Sequence, residues 1–300
     1  MTNKYIIFVP GKNPKPPAKQ HLSCLWRALI EGVRRAEPSI VADLEKNRNN
    51  FKLTAWNDTY YHEQKNIVQE IPWIDAVINQ HNATEQDVKE ANAWHRKLDR
   101  FLYNIVDRFP ILISLLSKDL KSNASELRAY FENYQNIACD VREILKQQLR
   151  RLLKDNNQVL IIGHSLGSVI AYDTLWELNH LEHNSNQVDM FLSIGSPLGM
   201  RYVQHRLVGA KYTKPAHHYP HNIKHWINLS AVGDVTAVDM EISDDFSAMS
   251  ELGYTEKIED HCEGIYNFFR NDEGLNPHRS YGYLVNPAVG RIIADWWMKD

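Results

Sequence analysis

The chain has 300 residues, of which 43% are hydrophobic, and this is enough apolar material for one domain with a substantial core. Its net charge is −3 at pH 7, whereas nucleic-acid binding favours an excess of positive charge, so we expect no nucleic-acid partner. Three cysteines without a C-x-x-C pair argue against a disulfide framework, and the apolar runs are too short for a signal peptide or membrane span, which together predict a cytoplasmic protein.

The first predicted elements are a buried strand and a helix. The apolar run Lys4–Val9 predicts a strand and stops at a Pro-Gly turn. Apolar residues at helical spacing predict a helix from about His21 to Arg35, and alternation over Phe51–Trp56 predicts a further strand. Turn chemistry follows at Asn57-Asp58.

The next hundred or so residues have a helical composition. One helix is predicted over Glu85–Arg108. Thr84, just before this helix, and Asp87, in its first turn, form a capping arrangement. A second helix is predicted over Ala124–Asp155, where it leads into the next convincing strand.

We interpret residues 58–122 as a helical insertion, or cap, within a single domain of residues 1–300. The insertion contains the apolar segment Phe109–Leu116. Ordinary packing of one helix face against its neighbours accounts for such a segment. A lid that touches lipid would account for it as well, which leaves transient contact with a membrane surface open.

The most informative stretch is Gln158–Tyr172. Its β-branched run Val159–Ile162 predicts a buried strand, which enters Gly163-His164-Ser165-Leu166-Gly167 and continues with apolar residues at helical spacing. Strand, G-x-S-x-G and helix in this order are the context of a nucleophile elbow, in which a serine stands on a strained turn at the start of a helix. The glycine patterns of phosphate-binding loops do not occur.

This stretch resembles the elbow of serine hydrolases of the α/β-hydrolase fold, in the Gly-His-Ser-Leu-Gly form common among lipases and esterases. The resemblance implies an α/β fold with a mostly parallel central sheet, helices on both faces and a helical cap insertion. It also implies hydrolysis of a carboxylic ester through an acyl-enzyme on Ser165. A thioesterase, amidase or acyltransferase would use the same residues, and a non-catalytic binding protein could retain the fold.

The remaining strands and the last helix follow the elbow. Val188–Ile194 and Lys224–Leu229 are apolar runs that predict strands, and a helix is predicted over Pro287–Met298. The first of these strands ends at Gly195-Ser196-Pro197. We interpret Ser196 as a turn or pocket-wall residue rather than as a second nucleophile.

The resemblance implies a triad in the chain order serine, acid, histidine. Ser165 is then the nucleophile. Asp234 is the candidate acid because it directly follows a strand, with Asp239 as the alternative. His278 is the candidate base because it lies in a loop before the last helix, with His261 as the alternative.

The oxyanion hole implied by the fold consists of two backbone amides. One belongs to Leu166, which follows the serine, and the other to Lys12, in the loop after the first strand. Lipases usually have His-Gly where this chain has Pro10-Gly11.

Acyl transfer on serine needs no metal and no organic cofactor, and we expect neither here. The four histidines between residues 217 and 225 lie among prolines that argue against a helix, and no carboxylate or cysteine joins them at ligand spacing. We expect the partner to be a small-molecule ester or lipid substrate. The sequence leaves the oligomeric state open.

Overall fold

A six-stranded parallel sheet forms the centre of the structure, a computed structural model that describes residues 3–108, 127–155 and 157–299. Its strands are β1 (Lys4–Val9), β2 (Phe51–Leu53), β3 (Gln158–His164), β4 (Val188–Ile194), β5 (Ile223–Leu229) and β6 (Lys257–His261). In space they follow the order β2-β1-β3-β4-β5-β6, and every neighbouring pair is parallel. A separate antiparallel pair consists of β7 (Arg270–Asn271) and β8 (Gly274–Leu275).

Helices lie on both faces of the sheet, which confirms the predicted α/β class. The helices are α1 (Ala18–Ala36), α2 (Val41–Lys46), α3 (Trp56–Tyr61), α4 (Ile71–Asn79), α5 (Glu85–Ala91), α6 (Trp94–Arg108), α7 (Ile137–Leu152), α8 (Leu166–His180), α9 (Arg201–Gln204), α10 (Pro215–His218), α11 (Ser247–Glu251), α12 (Ser280–Leu284) and α13 (Pro287–Met298). Residues 127–132 are helical as well. No helix within the described ranges is long and apolar enough to cross a membrane.

Alternating side chains along the strands divide the core into two layers. Phe8 and Ile162 belong to the layer that packs against α1 and α13, whereas Ile7 and Ile161 belong to the layer that packs against α7 and α8. Because both faces are covered, these strands are continuous apolar runs, and this is why the sequence predicts them.

The predicted strand over Phe51–Trp56 is shorter than expected. It ends at Leu53, and α3 begins at Trp56, so Asn57-Asp58 lies in a helix rather than a turn. The reason is tertiary: the buried indole of Trp56 donates to the Pro10 carbonyl at 2.7 Å. This contact places Trp56 in α3, whereas the alternation of apolar and polar residues alone assigns Trp56 to the strand.

The predicted helix over Glu85–Arg108 is two helices, α5 and α6, separated at Asn92 and Ala93. The capping box of Thr84 with Asp87 is confirmed, since each donates to and accepts from the other. The break has a local cause, because the Asn92 amide group turns back to the Val88 carbonyl at 2.9 Å.

The predicted helix over Ala124–Asp155 is also interrupted. Helical residues 127–132 are followed by a break in which Asn133, Gln135 and Asn136 adopt left-handed φ values of 47°, 55° and 63°. The Asn133 side chain then accepts the amide of Ala138 at 2.9 Å in the first turn of α7. The start of the predicted helix at 124 and the apolar segment Phe109–Leu116 lie outside the described residues.

A buried polar network ties the residues before this break to α7 and α8. The Tyr130 hydroxyl donates to Asp173 on α8 and accepts from Arg142 on α7, both at 3.0 Å. Arg142 also pairs with Glu177 on α8 at 2.9 Å. Burial raises the pKa of Asp173 to about 6. The network holds α8, and with it the turn at Ser165, against its neighbours.

Several elements were not predicted, and two of them show why. Helix α10 begins at Pro215, although the prolines argue against a helix there, because a proline in the first helical position lacks only an N–H that would have no partner. Strand β6 carries Lys257, Glu259 and Asp260, and so lacks the apolar pattern of the other strands. It lies at the edge of the sheet, where charged side chains reach solvent.

Candidate active site

Ser165 stands on a sharp turn between β3, which ends at His164, and α8, which begins at Leu166. Its backbone has φ 54° and ψ −130°, a conformation that costs a non-glycine residue about 1–3 kcal/mol. The glycines of the motif make the turn possible. A Cβ at Gly163 would lie 2.6 Å from the backbone of Ser168, and one at Gly167 would lie 2.2 Å from the Val9 carbonyl oxygen.

A chain of hydrogen bonds links Ser165 to a histidine and an aspartate from distant parts of the sequence. The Ser165 Oγ lies 2.9 Å from His278 Nε2, and His278 Nδ1 lies 2.9 Å from Asp234 Oδ2. An ionised carboxylate can only accept, so Nδ1 donates to it. Nε2 of the neutral ring is then free to accept the serine proton.

The alternative residues lie elsewhere. His261 is the last residue of β6 and its side chain is exposed. The Asp239 carboxylate accepts a hydrogen bond from the Glu241 amide at 3.2 Å. Asp239 also packs against Gly199, where an added Cβ would lie 2.6 Å from the Asp239 Cβ. The structure therefore brings His278 and Asp234 to Ser165.

Asp234 is held from several sides at the turn after β5. It is 2% exposed, the Tyr283 hydroxyl donates to its Oδ2 at 2.6 Å, and the Thr236 amide donates to Oδ1 at 2.9 Å. Burial works to raise the pKa of Asp234, but the charge of His278 and the hydrogen bonds outweigh it and hold the pKa below 3.8. Sequence reasoning missed Tyr283, since no motif marks it.

His278 is held through its backbone. Its amide donates to Asn276 Oδ1 at 3.2 Å, and its carbonyl lies 2.7 Å from His164 Nε2. A carbonyl only accepts, so His164 carries its proton on Nε2. Burial lowers the pKa of His164 well below 6.5, and the positive charge of a protonated His278 would lower it further. The sequence marks this residue only by its place within G-x-S-x-G.

We expect His164 to make the fold less stable in acid. The unfolded chain binds a proton at this position as the pH falls below about 6.5, whereas the buried ring stays neutral well below that pH. Because the unfolded state then binds more protons, the free energy of unfolding falls by about 1.4 kcal/mol per pH unit from this group. Urea unfolding from pH 8 to pH 5 measures the effect.

The control for this prediction is His164→Gln, which keeps an N–H donor for the His278 carbonyl but does not titrate. Its unfolding free energy should depend less steeply on pH than that of the wild type. Equal slopes in the two proteins would contradict the assignment of His164 as a buried neutral histidine.

The loop after β1 lies directly against the serine. A Cβ at Gly11 would lie 2.8 Å from the Ser165 Cβ, and Asn57 on α3 holds this loop by donating to the Gly11 carbonyl at 2.9 Å. Lys12 and Leu166, the two residues predicted to supply oxyanion-hole amides, line a small cavity together with Ser165. The structure thus places both beside the serine.

Ser196 is a buried turn residue. It is 1% exposed, its Oγ lies 2.7 Å from Ser168 Oγ, and it accepts the Leu198 amide at 3.1 Å. Ser168 in turn donates to the Ser165 carbonyl at 2.6 Å. These bonds connect the ends of β3 and β4 beneath the site.

A second, larger cavity of about 550 Å³ also opens beside Ser165 and is bordered by His278 and Asp234. Its lining is mostly polar. Among the residues that the structure describes, no three His, Cys, Asp or Glu side chains are grouped so that they could hold a metal ion. The groups beside the cavity are those of acyl transfer: a hydroxyl, an imidazole and a carboxylate in sequence.

Comparisons with known proteins add nothing to this geometry: no family model, no curated protein and no solved structure matches the chain. The parallel sheet with helices on both faces defines the class of the fold as α/β. The chemistry of the site is argued from the positions of its residues.

Proposed function

We propose that this chain is a serine hydrolase of the α/β-hydrolase type, which cleaves a carboxylic ester through an acyl-enzyme on Ser165. The observation that carries the proposal is the hydrogen-bonded path from Ser165 Oγ through His278 to Asp234, with both connecting distances at 2.9 Å. The strained turn supports it, because a backbone conformation that costs free energy is typical of functional positions.

In the first half of the reaction the Ser165 oxygen attacks the ester carbonyl while His278 Nε2 takes the hydroxyl proton. Asp234 keeps the ring in the required tautomer and stabilises the imidazolium. The amides of Lys12 and Leu166 hold the negative oxygen of the tetrahedral intermediate. The intermediate then expels the alcohol, which receives the proton from His278, and the acyl group remains on Ser165.

In the second half a water molecule takes the place of the alcohol. His278 removes a proton from this water as it attacks the acyl-enzyme carbonyl. As the second tetrahedral intermediate collapses, the bond between the acyl carbon and the Ser165 oxygen breaks, His278 gives the proton to that oxygen, and the carboxylic acid leaves. Every proton moves through His278. The residues of this chain therefore suffice for the whole cycle.

A fluorophosphonate probe tests the proposal because it reacts only with an activated serine. We expect it to label the wild type and to leave Ser165→Ala unlabelled, while Ser196→Ala, which removes the buried neighbouring hydroxyl, is still labelled. Absence of label from folded wild-type protein would mean that the chain keeps the arrangement of Ser165, His278 and Asp234 but has no hydrolase activity. A butyrate ester, thioester and amide that carry the same 4-nitrophenyl group on oxygen, sulfur and nitrogen would then identify the bond that is cleaved.

A further inference from the structure

The larger cavity beside Ser165 has a cationic wall. Lys12, Lys15, Arg96 and Arg279 line it, and the acidic residues in its lining are Asp234 and Glu273. Asp234 is already bound by His278 and Tyr283, and Glu273 lies exposed in the β7–β8 hairpin. The charge that a ligand meets in this cavity is therefore mainly positive.

Arg96 is a residue in this wall with hydrogen-bonding capacity left over. Its Nη2 donates to the Leu275 carbonyl at 2.7 Å, and its Nη1 lies 3.4 Å from the Gly233 carbonyl. Its Nε is buried and has no hydrogen-bond partner, and no carboxylate among the described residues forms a salt bridge with it. The Nε of Arg279 also has no hydrogen-bond partner, but the charge of Arg279 is paired with the buried Glu70.

A guanidinium has five N–H donors in a planar fork that fits a carboxylate or a phosphate. Two backbone carbonyls cannot satisfy these donors, and the carboxylates of Glu90, Asp234 and Asp99 attract the Arg96 charge without forming a salt bridge with it. An anion in the cavity would supply both the missing acceptors and a salt bridge, because charge-assisted hydrogen bonds are about twice as strong as neutral ones.

The side of the serine on which the cavity lies indicates which half of an ester it receives. The cavity is bordered by His278 and extends past Pro277 and Arg279. The leaving alcohol takes its proton from the histidine, so it departs on the His278 side. The polar, cationic cavity, which His278 borders, thus corresponds to the alcohol.

We propose that Arg96 binds an anionic group on the leaving alcohol, so that the substrate is an ester whose alcohol half carries a phosphate or a carboxylate. The proposal rests on the proposed hydrolase function. It makes Arg96, which comes from helix α6 of the insertion, the residue that selects for charge.

The test compares two esters with the same acyl group: 4-nitrophenyl butyrate, which is neutral, and 5-butyryloxy-2-nitrobenzoate, whose leaving group carries a carboxylate. We expect wild-type kcat/KM to be about tenfold or more higher for the charged ester. Arg96→Gln should lower kcat/KM for the charged ester by about 10- to 100-fold and change that for the neutral ester by less than about threefold.

Arg100→Gln is the matched control. Arg100 lies one turn further along α6 and likewise donates to a backbone carbonyl, that of Val238, at 2.8 Å, but it does not line the cavity. It should change both esters by less than about threefold. An equal loss for both esters in Arg96→Gln would mean that Arg96 only ties the loops of Gly233 and Leu275 together, and would overturn the proposal.

A measurement on the wild type alone avoids any folding defect in the variants. Glycerol 3-phosphate should slow fluorophosphonate labelling of Ser165, whereas glycerol at the same concentration should not. Equal effects of the two compounds would overturn the anion site while leaving the hydrolase intact, and absence of labelling would instead refute the hydrolase. Turnover of butyryl glycerol 3-phosphate in solution and of lysophosphatidic acid in micelles is then measured in the wild type and in Arg96→Gln. The substrate whose turnover falls in the variant shows whether the anion belongs to a free phosphate ester or to a lipid headgroup.

Discussion

We expect His278→Ala to lower kcat for ester hydrolysis by about 10⁴-fold or more. The imidazole lies 2.9 Å from Ser165 Oγ, and in the proposed mechanism it takes the hydroxyl proton and later protonates the alcohol. Without it, the serine remains a neutral hydroxyl and both halves of the reaction slow. Steady-state kinetics with 4-nitrophenyl butyrate measure the loss, and circular dichroism establishes that the variant is folded.

The control for this prediction is His261→Ala. His261 is exposed at the end of β6, so its removal should leave kcat within about threefold of the wild type. If His261→Ala abolished turnover and His278→Ala did not, the assignment of the base would be wrong.

Asp234→Asn should lower kcat by about 10⁴-fold with little change in the fold. Asparagine fills the same volume, but its amide group can donate to His278 Nδ1. The ring then carries its proton on Nε2 and presents a donor to Ser165 instead of an acceptor. The loss should appear in kcat more than in KM, because Asp234 acts on the histidine and does not contact the ester.

Asp239→Asn tests the alternative acid. Asp239 accepts the amide of Glu241 and packs against Gly199, away from the imidazole, so we expect this variant to retain wild-type turnover within about threefold. Loss of activity in Asp239→Asn, with activity kept in Asp234→Asn, would reverse the assignment.

Much of the sheet could be predicted because its central strands are buried on both faces. Strands β1, β3, β4 and β5 are apolar runs, and each matches its predicted position to within a residue or two. β6 could not be predicted in this way. It is an edge strand with charged side chains. It forms by backbone hydrogen bonding to β5, and such pairing does not depend on a hydrophobic pattern in the sequence.

The breaks in the predicted helices have a similar explanation. Periodicity runs across Asn92 and across the Asn133–Asn136 turn, but asparagine side chains bond to nearby backbone in both places and end the helix. Ala91 also contacts Gly233, about 140 residues further along the chain. An added Cβ at Gly233 would lie 2.5 Å from the Ala91 carbonyl oxygen. Local pattern cannot reveal a contact of that kind.

At the candidate site, the motif and the chain order of a fold family were enough to select Ser165, Asp234 and His278, which the structure brings together. The residues that hold them could not be selected. Tyr283 holds Asp234 through a hydrogen bond between residues 49 positions apart, and nothing in its sequence neighbourhood distinguishes it from an ordinary core residue.

The backbone conformation of Ser165 also bears on how this chain can change over generations. A positive φ at that corner suits glycine, which lacks the Cβ that makes the conformation unfavourable. A glycine there would relieve about 1 kcal/mol or more and would remove the hydroxyl. Under selection for thermal stability alone, the position would drift towards an inert residue, so in the proposed hydrolase this serine is the point at which stability and reactivity are opposed.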